Sequence, residues 1–298
     1  MPRAARITLT RQPNRDFSSP MPSLEPTPLL DPVHLLHAET PLRVWSLIVT
    51  IFGDAVMNRG AIAAPEPIWI AELMALLDLL GIDAGIARTN LSRLVANGTL
   101  ERDKAGRNTF YRLSPASRAD FAEASKRIYA HSPASPTGLF QLITIDRCEH
   151  RSVARETLEA SGFRFMAPTI ALRPEHAGKS DQEMPTGAIL ARAACSLAIT
   201  EAASEIWQIT DLNAGYQRFE TTFGGLQAGP EPDPAEAVAL RTIAVHLYRR
   251  LVLRDPLLPS EALPADWAGA RARNLFTALN EQLYRASEHW LAAHGYRD

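Results

Sequence analysis

Apolar residues recur along this chain with three different rhythms, and each rhythm marks a segment. From about residue 41 to residue 131 the spacing is mostly helical. LRVWSLIVTIFGDAVM at 42–57 predicts a buried helix, and IWI at 68–70 predicts a short strand. ELMALLDLLGI, from Glu72, predicts an amphipathic helix that Gly81 ends. Asp83 then caps a third helix that stops before Gly98. On a helical wheel Ala87, Leu91, Leu94 and Val95 form one stripe, which must pack inward. Arg88, Thr89, Ser92, Arg93 and Ala96 therefore point away from the core. Strands around 100–103 and 108–113 predict a hairpin turned by Lys104, Ala105 and Gly106, and SRADFAEASKRIYAH predicts a closing helix.

HSPASPTG at 131–138 reads as a linker. Beyond it the pattern changes to strand GLFQLITI, helix HRSVARETLEAS ending at Gly162, strand FRFMAPTIAL, a polar loop around 174–185 and a strand-like CSLAIT. Strand, helix and strand at this spacing predict a small α+β sandwich over 138–203. From residue 204 the rhythm is helical again: DLNAGYQRFETTF, a Pro-rich spacer, and a long helix from Pro234 to about Leu253. After DPLLPSEALP, Asp266 is placed to cap a last helix, WAGARARNLFTALNEQLYRASEHWLAA.

The 298 residues leave room for two or three domains, and 46% hydrophobic with 21% charged residues fits a globular protein. The formal net charge of −2 excludes a molecule that is basic throughout, so any nucleic-acid contact must come from a local patch. Cys148 and Cys195 are the only cysteines, and neither sits in a CxxC; this excludes a disulfide scaffold, argues against structural zinc and suits a cytoplasmic location. No run of about 18 apolar residues exists, so no membrane span is expected. Residues 1–40 are rich in Pro, Ser and Thr, with Arg3, Arg6, Arg11 and Arg15 ahead of the first acidic residue, Asp16, and are expected to be a disordered tail.

A patch of the required kind is present. From Arg88 to Arg118 there are seven cations (Arg88, Arg93, Arg102, Lys104, Arg107, Arg112, Arg118) against Glu101 and Asp103. Helices, a turn, a helix with a cationic outer face and a basic hairpin, in that order, are the parts of a winged helix-turn-helix, expected over 41–131. The major groove admits an α-helix, which makes duplex DNA the best-matched partner. Thr89 and Ser92 are the candidates for base edges, with Arg88 on guanine; Arg93, Lys104 and Arg107 suit phosphates, and Asn108 suits either.

The order VTIFGD, IWI, LLGI, RTNLSRL, NGTL, GRNTFYRLS resembles the N-terminal domain of PaaX-type regulators of phenylacetate degradation. VHLYRRLVLRDPLLPSEALPADWAGARARNLF resembles that family's most distinctive C-terminal signature, and LFQLITI to FRFMAPTIALRP is similar to its Cas2-like ferredoxin-fold domain. The resemblance implies a mainly α chain with α+β: a winged helix-turn-helix, a ferredoxin-like middle domain over 138–203 and a helical PaaX-type domain over 204–298. It also implies a homodimeric repressor of an aromatic catabolic operon. Such a repressor binds a palindromic operator and is released by an aryl-CoA thioester such as phenylacetyl-CoA, with no resident cofactor.

Where such an effector sits is open to a physical reading. Arg241, His246, Arg249, Arg250 and Arg254 accumulate with no acidic residue before Asp255; His246 and Arg250, and Arg250 and Arg254, lie one helical turn apart. Arginine forks beside Tyr248, Trp267 and Phe276 suit both the phosphates and the acyl end of a thioester. His246, Arg249, Arg250, Arg254 and Trp267 are therefore the effector candidates, against the plainer reading that they hold elements or subunits together. Two other functions compete. ITID at 143–146 puts Asp146 at a strand end, where a symmetric dimer could pair carboxylates into a metal-dependent, Cas2-like nuclease. The other is a DNA-binding dimer with no small-molecule effector. Neither a GxSxG elbow nor a Gly-rich phosphate loop occurs, so no catalytic residues are assigned.

Overall fold

The computed structural model describes residues 32–37, 42–57, 67–132, 135–177, 184–226 and 231–296. The mostly apolar segment before Met57 folds as α2 (Val44–Ile51) and then widens into a π turn, Phe52–Val56, closed by Met57 N–H donating to Phe52 O at 3.0 Å. Of IWI, only Ile68–Trp69 is strand (β1); Trp69 is the extended N-cap of α3 (Ile70–Leu79), so Ile70 is already helical. α4 (Ala84–Ala96) and the hairpin β2 (Leu100–Ala105) and β3 (Asn108–Leu113) follow. The turn is Gly106–Arg107, so Lys104 and Ala105 belong to β2. β1 joins the far edge of β3 in an antiparallel sheet ordered β1-β3-β2. α5 (Pro115–Ile128) starts on Ser114, whose Oγ accepts from Ser117 N–H at 3.2 Å.

The middle segment is a second antiparallel sheet, ordered β5-β6-β4-β7, from β4 (Pro136–Thr144), β5 (Arg164–Ala167), β6 (Ile170–His176) and β7 (Ile189–Ala194), with α6 (Arg151–Ala160) between β4 and β5. Two expectations are corrected here. FRFMAPTIAL is not one strand but two, because Pro168 has no N–H to continue the ladder and the chain turns back after Ala167. CSLAIT is not a strand: Ser196 Oγ accepts from Ile199 N–H at 3.4 Å and caps α7 (Leu197–Ile206), while the edge strand is ILARAA upstream. The expected linker likewise ends early, since Pro136, Thr137 and Gly138 are already in β4. The polar loop expected at 174–185 begins later than 174, after His176, and residues 178–183 lie outside the described residues.

Period-two alternation puts Ile143 and Ala171 on one sheet face, where Ala154 and Leu158 of α6 cover them, and Phe140 and Leu172 on the other, inside the main core. Helices α8 (Ile209–Phe223), α9 (Pro234–Val252) and α10 (Gly269–Ala293) complete the chain. Asp266 does not cap the last helix; its carboxylate accepts from Gln217 Nε2 at 2.9 Å, and the helix starts after Ala268, whose N–H donates to Asn213 Oδ1. Of the segment expected to be a disordered tail, Pro32–His37 forms helix α1, because Leu36 reaches the main core; residues 1–31 and 38–40 lie outside the described residues.

One continuous hydrophobic cluster runs from Leu47 and Ile51 through Leu76 and Leu91 to Ile243 and Phe276. The N-terminal helices and the C-terminal bundle therefore share a core rather than sitting side by side. Inside it, Arg241 of α9 is 1% exposed. Its Nε lies 2.9 Å from Asp54 Oδ2, its Nη2 donates to Asp54 Oδ1 at 3.0 Å, and its Nη1 donates to Glu288 Oε1 at 2.7 Å and Ser287 Oγ at 3.0 Å. Tyr129 at the end of α5 donates to the same Asp54 oxygen. Burial pulls the guanidinium pKa down, but Asp54 and Glu288 outweigh it and the net shift is upward.

A second polar junction lies one to two turns further along α9. Thr50 Oγ1 donates to Ser46 O at 3.0 Å and accepts from Arg249 Nε at 2.7 Å; His246 Nδ1, 2.9 Å away, completes the hydroxyl's set as an N–H donor. Burial, then the neighbouring Arg249 and Arg250 guanidiniums, push the His246 pKa down to about 3, so the ring is neutral.

Two outcomes follow from these junctions. Arg241→Met leaves the Asp54 carboxylate uncompensated inside the core and lowers the unfolding free energy by about 3–5 kcal/mol, whereas the pair Arg241→Met with Asp54→Asn recovers much of that loss. Urea midpoints of the wild type and the two variants check this. For His246 the folded pKa is depressed: its contribution is complete above about pH 6.5 and is withdrawn as pH falls toward 3. Stability should drop by up to ~1.4 kcal/mol per pH unit in that window, and His246→Gln should flatten the slope in denaturation series taken at successive pH values.

Candidate nucleic-acid interface

α4 is bounded by sequence-encoded signals at both ends. Asp83 Oδ1 accepts from the N–H groups of Gly85 (2.8 Å) and Ile86 (2.9 Å). At the other end Thr99 N–H donates to Leu94 O and Gly98 N–H to Val95 O, with Gly98 at φ +77°, a conformation that a side chain would strain. Between these caps Ala87, Leu91 and Leu94 are buried and Val95 half-buried, whereas Arg88, Thr89, Ser92, Arg93 and Ala96 are exposed. The Thr89 hydroxyl donates to Gly85 O at 2.9 Å, so outward it offers only an acceptor and its methyl group. Ile86 is 52% exposed in the first turn, an apolar side chain left in water that helical periodicity alone does not single out.

β2 leaves the core after its first residue, Leu100. Register places Leu100, Arg102 and Lys104 on the strand face shared with Tyr111 and Leu113. Leu100, Tyr111 and Leu113 are buried, yet Arg102 and Lys104 are exposed, as are Arg107 and Asn108 at the turn. On the opposite face Arg112 Nε meets Glu101 Oε2 at 2.8 Å and its Nη1 lies 3.3 Å from Asp103 Oδ2. Both acids of the segment are thereby occupied. Arg88, Arg93, Arg102, Lys104 and Arg107 remain exposed, with no ion pair to any described residue. Arg102, counted in the basic patch but given no contact from the sequence, shares its strand face with buried Leu100, and the overhang of the hairpin brings it to solvent.

The five effector candidates do not converge. Ala237 to His246 of α9 are all buried, Arg249 is half-buried, and Arg250 and Arg254 are exposed, so the candidates are divided between the interior and the surface. His246 and Arg249 are struts to α2: Arg249 Nη2 also donates to Ser46 O (2.9 Å) and Ser46 Oγ (2.8 Å). Arg250 is exposed, and Trp267 is half-buried, edge-on to Tyr216 with ring centres 5.5 Å apart. Arg254 alone of the five lines a cavity of about 650 Å³ between α5, the second sheet and the turn after α9. Asp146, the nuclease candidate, is an exposed residue just past β4 whose Oδ2 accepts from Thr144 Oγ1 at 3.2 Å. Among the described residues no group of three His, Cys, Asp or Glu side chains is placed to hold a metal ion, and no helix is long and apolar enough to cross a membrane.

Comparison with known proteins gives a consistent picture. Residues 43–117 match the family described as PaaX-like protein, and residues 207–293 match the PaaX-like protein C-terminal domain. The transcriptional repressor PaaX of Escherichia coli (strain K12) is 31% identical over 272 residues, covering 85% of this chain and 84% of that protein. Among solved structures, the uncharacterized protein Rv0674 from Mycobacterium tuberculosis aligns with 81% of this chain and 97% of its own at 21% identity, with a TM-score of 0.47. The first match ends inside α5 and so contains the capped helix and the basic hairpin; the second contains the Arg241 and Thr50-bonding residues of α9. With matches at both ends and identity spread over most of two chains, this protein belongs to the PaaX family.

Proposed function

We propose that this chain is a ligand-released transcriptional repressor that reads operator DNA with α4 and grips the flanking backbone with the β2–β3 hairpin. The observation that carries it is the set of five exposed cations on one helix face and one hairpin, without counter-ions among the described residues, in a chain of net charge −2. The relative over most of its length is named a transcriptional repressor, which supports a regulator of transcription and not an enzyme. The order α2, β1, α3, α4, β2, β3 with sheet order β1-β3-β2 supports a winged helix-turn-helix. The antiparallel order β5-β6-β4-β7, with α6 crossing from β4 to β5, supports a ferredoxin-like middle domain.

In this reading Arg88 and Ser92 face base edges, Thr89 supplies an acceptor and a methyl contact, and Ile86 suits the methyl group of thymine. Arg93, Arg102, Lys104 and Arg107 neutralise phosphates, and Asn108 at the turn adds a neutral hydrogen bond. The protein works as a cytoplasmic homodimer, so two copies of α4 meet half-sites about one helical turn (~34 Å) apart in a palindromic operator. An aryl-CoA thioester such as phenylacetyl-CoA is the effector that releases it from an aromatic catabolic operon, by the family resemblance.

Binding should weaken on operator and unrelated DNA alike in the Arg93→Ala, Arg107→Ala variant, and the slope of log affinity against log salt should become shallower by about 0.9 for each phosphate that the variant no longer neutralises. Arg88→Ala should instead reduce the preference for operator over unrelated DNA, by about 1–3 kcal/mol. Fluorescence anisotropy across a potassium chloride series separates the two. Unchanged affinity and slope in the double variant sink the docking reading.

A further inference from the structure

The cavity of about 650 Å³ lies where three parts of the chain meet: the outer face of α5, the β5–β6 edge of the second sheet with the α7–α8 corner, and the turn following α9. That volume is within the range of small-molecule sites. Its walls carry Lys126, Arg127, Arg164, Arg173, Arg254 and Arg273, against only Glu123 and Asp255. Neither acid offsets them fully. Glu123 is engaged by Lys126 at 3.2 Å. Asp255 is buried, accepts from Tyr216 Oη at 2.9 Å and Leu257 N–H at 2.8 Å, and burial raises its pKa. A strongly cationic hollow has therefore been built from segments far apart in sequence.

Backbone geometry marks the same place. Among the described residues, Gln208 (φ +50°) and Leu257 (φ +55°) are the two non-glycine residues in the left-handed region, and both line this cavity. Left-handed backbone at residues with side chains persists only where the surroundings enforce it, and it concentrates at functional sites. Each has an anchoring bond at the cavity: Arg254 Nη2 donates to Gln208 Oε1 at 3.4 Å, and the Leu257 carbonyl meets His176 Nε2 at 3.1 Å. Trp207, beside Gln208, adds a half-buried indole to the wall.

From these observations we infer that the cavity binds a small organic molecule bearing several phosphate groups. The guanidiniums of Arg164 and Arg254, both exposed, receive phosphates, and the Trp207 surface receives the organic part. The site is wired to the DNA-reading segment through α5, which follows β3 across a single residue, Ser114. Arg127 Nη2 donates to Val252 O and Asp255 O, both at 2.8 Å, so a phosphate competing for that guanidinium loosens α5 from the C-terminal turn. This deepens the effector reading above and rests on it for the choice of thioester probe.

Calorimetric titration of the full-length protein with coenzyme A and with phenylacetyl-CoA tests the assignment. The wild type should bind at least one of them, and Arg164→Glu with Arg254→Glu should weaken that binding by about ten-fold or more. Arg254→Ala, a milder change at an exposed position, should weaken it by about three-fold or more, and a melting temperature within about 3 °C of wild type shows either variant folded. Failure of both probes to bind at millimolar concentration, or equal affinity in wild type and folded variants, overturns the site. Binding that the variants abolish, without release of operator DNA from wild type, upholds the cavity and rejects the release reading. Release that persists undiminished in both variants upholds that reading and rejects the cavity.

Discussion

The contact between Arg241 and Asp54 is the constraint on which the arrangement depends. It lies inside the core, reaches α10 through Glu288 and Ser287, and takes in α5 through Tyr129. A buried guanidinium needs its partners in place, so the π turn, α5, α9 and α10 settle in one mutual arrangement. The ten-residue run of buried positions around Arg241 explains why α9 tolerates no outward face there. Hydrophobic burial supplies the driving force, while the ion pair decides which apolar surfaces meet. The N-terminal segment proposed to read DNA shares its core with the C-terminal helices in this way and cannot reorient freely on a linker.

Local signals in the sequence are legible wherever they act through the backbone. Asp83 and Gly98 set the ends of α4 by hydrogen bonds to nearby N–H and carbonyl groups, and these bonds are present. The inward stripe of α4 also follows from spacing alone. Misreadings arise where a pattern has two physical meanings. Cations spaced one turn apart on α9 look like a surface for anions, but Arg241 and Arg249 are cations of the interior, each satisfied by residues almost two hundred positions away. FRFMAPTIAL is apolar enough for one long strand until Pro168 breaks its ladder, and the alternation in CSLAIT yields to the cap on Ser196.

The same residue type therefore does opposite work in two places. Arginines of α9 such as Arg241 and Arg249 hold the π turn and α2; those of α4 and the hairpin tip are exposed and form no ion pair with any described residue. The net charge of −2 averages these populations and predicts neither. What distinguishes them is the local acid supply: Asp54 and Glu288 face Arg241, whereas in the hairpin Arg112 occupies both Glu101 and Asp103. Strand alternation puts those acids on the face opposite Arg102 and Lys104, where Arg112 occupies them. The candidate cavity escapes sequence reading for a different reason, since its cations come from α5, two strands and the C-terminal segment, and no spacing rule joins them.

Magnitudes decide how a ligand acts on such a molecule. Coupling between two binding sites is typically about 1–3 kcal/mol. Leaving Asp54 without its guanidinium inside the core costs about 3–5 kcal/mol, beyond that range, so no effector works by withdrawing Arg241. The bonds from Arg127 to Val252 O and Asp255 O are a different matter: they join an exposed guanidinium to neutral carbonyls and are worth about 1.5–3 kcal/mol each at most, with water to replace them. In the proposed reading, a ligand at the cavity therefore draws on the Arg127 contacts and leaves the Arg241 junction intact.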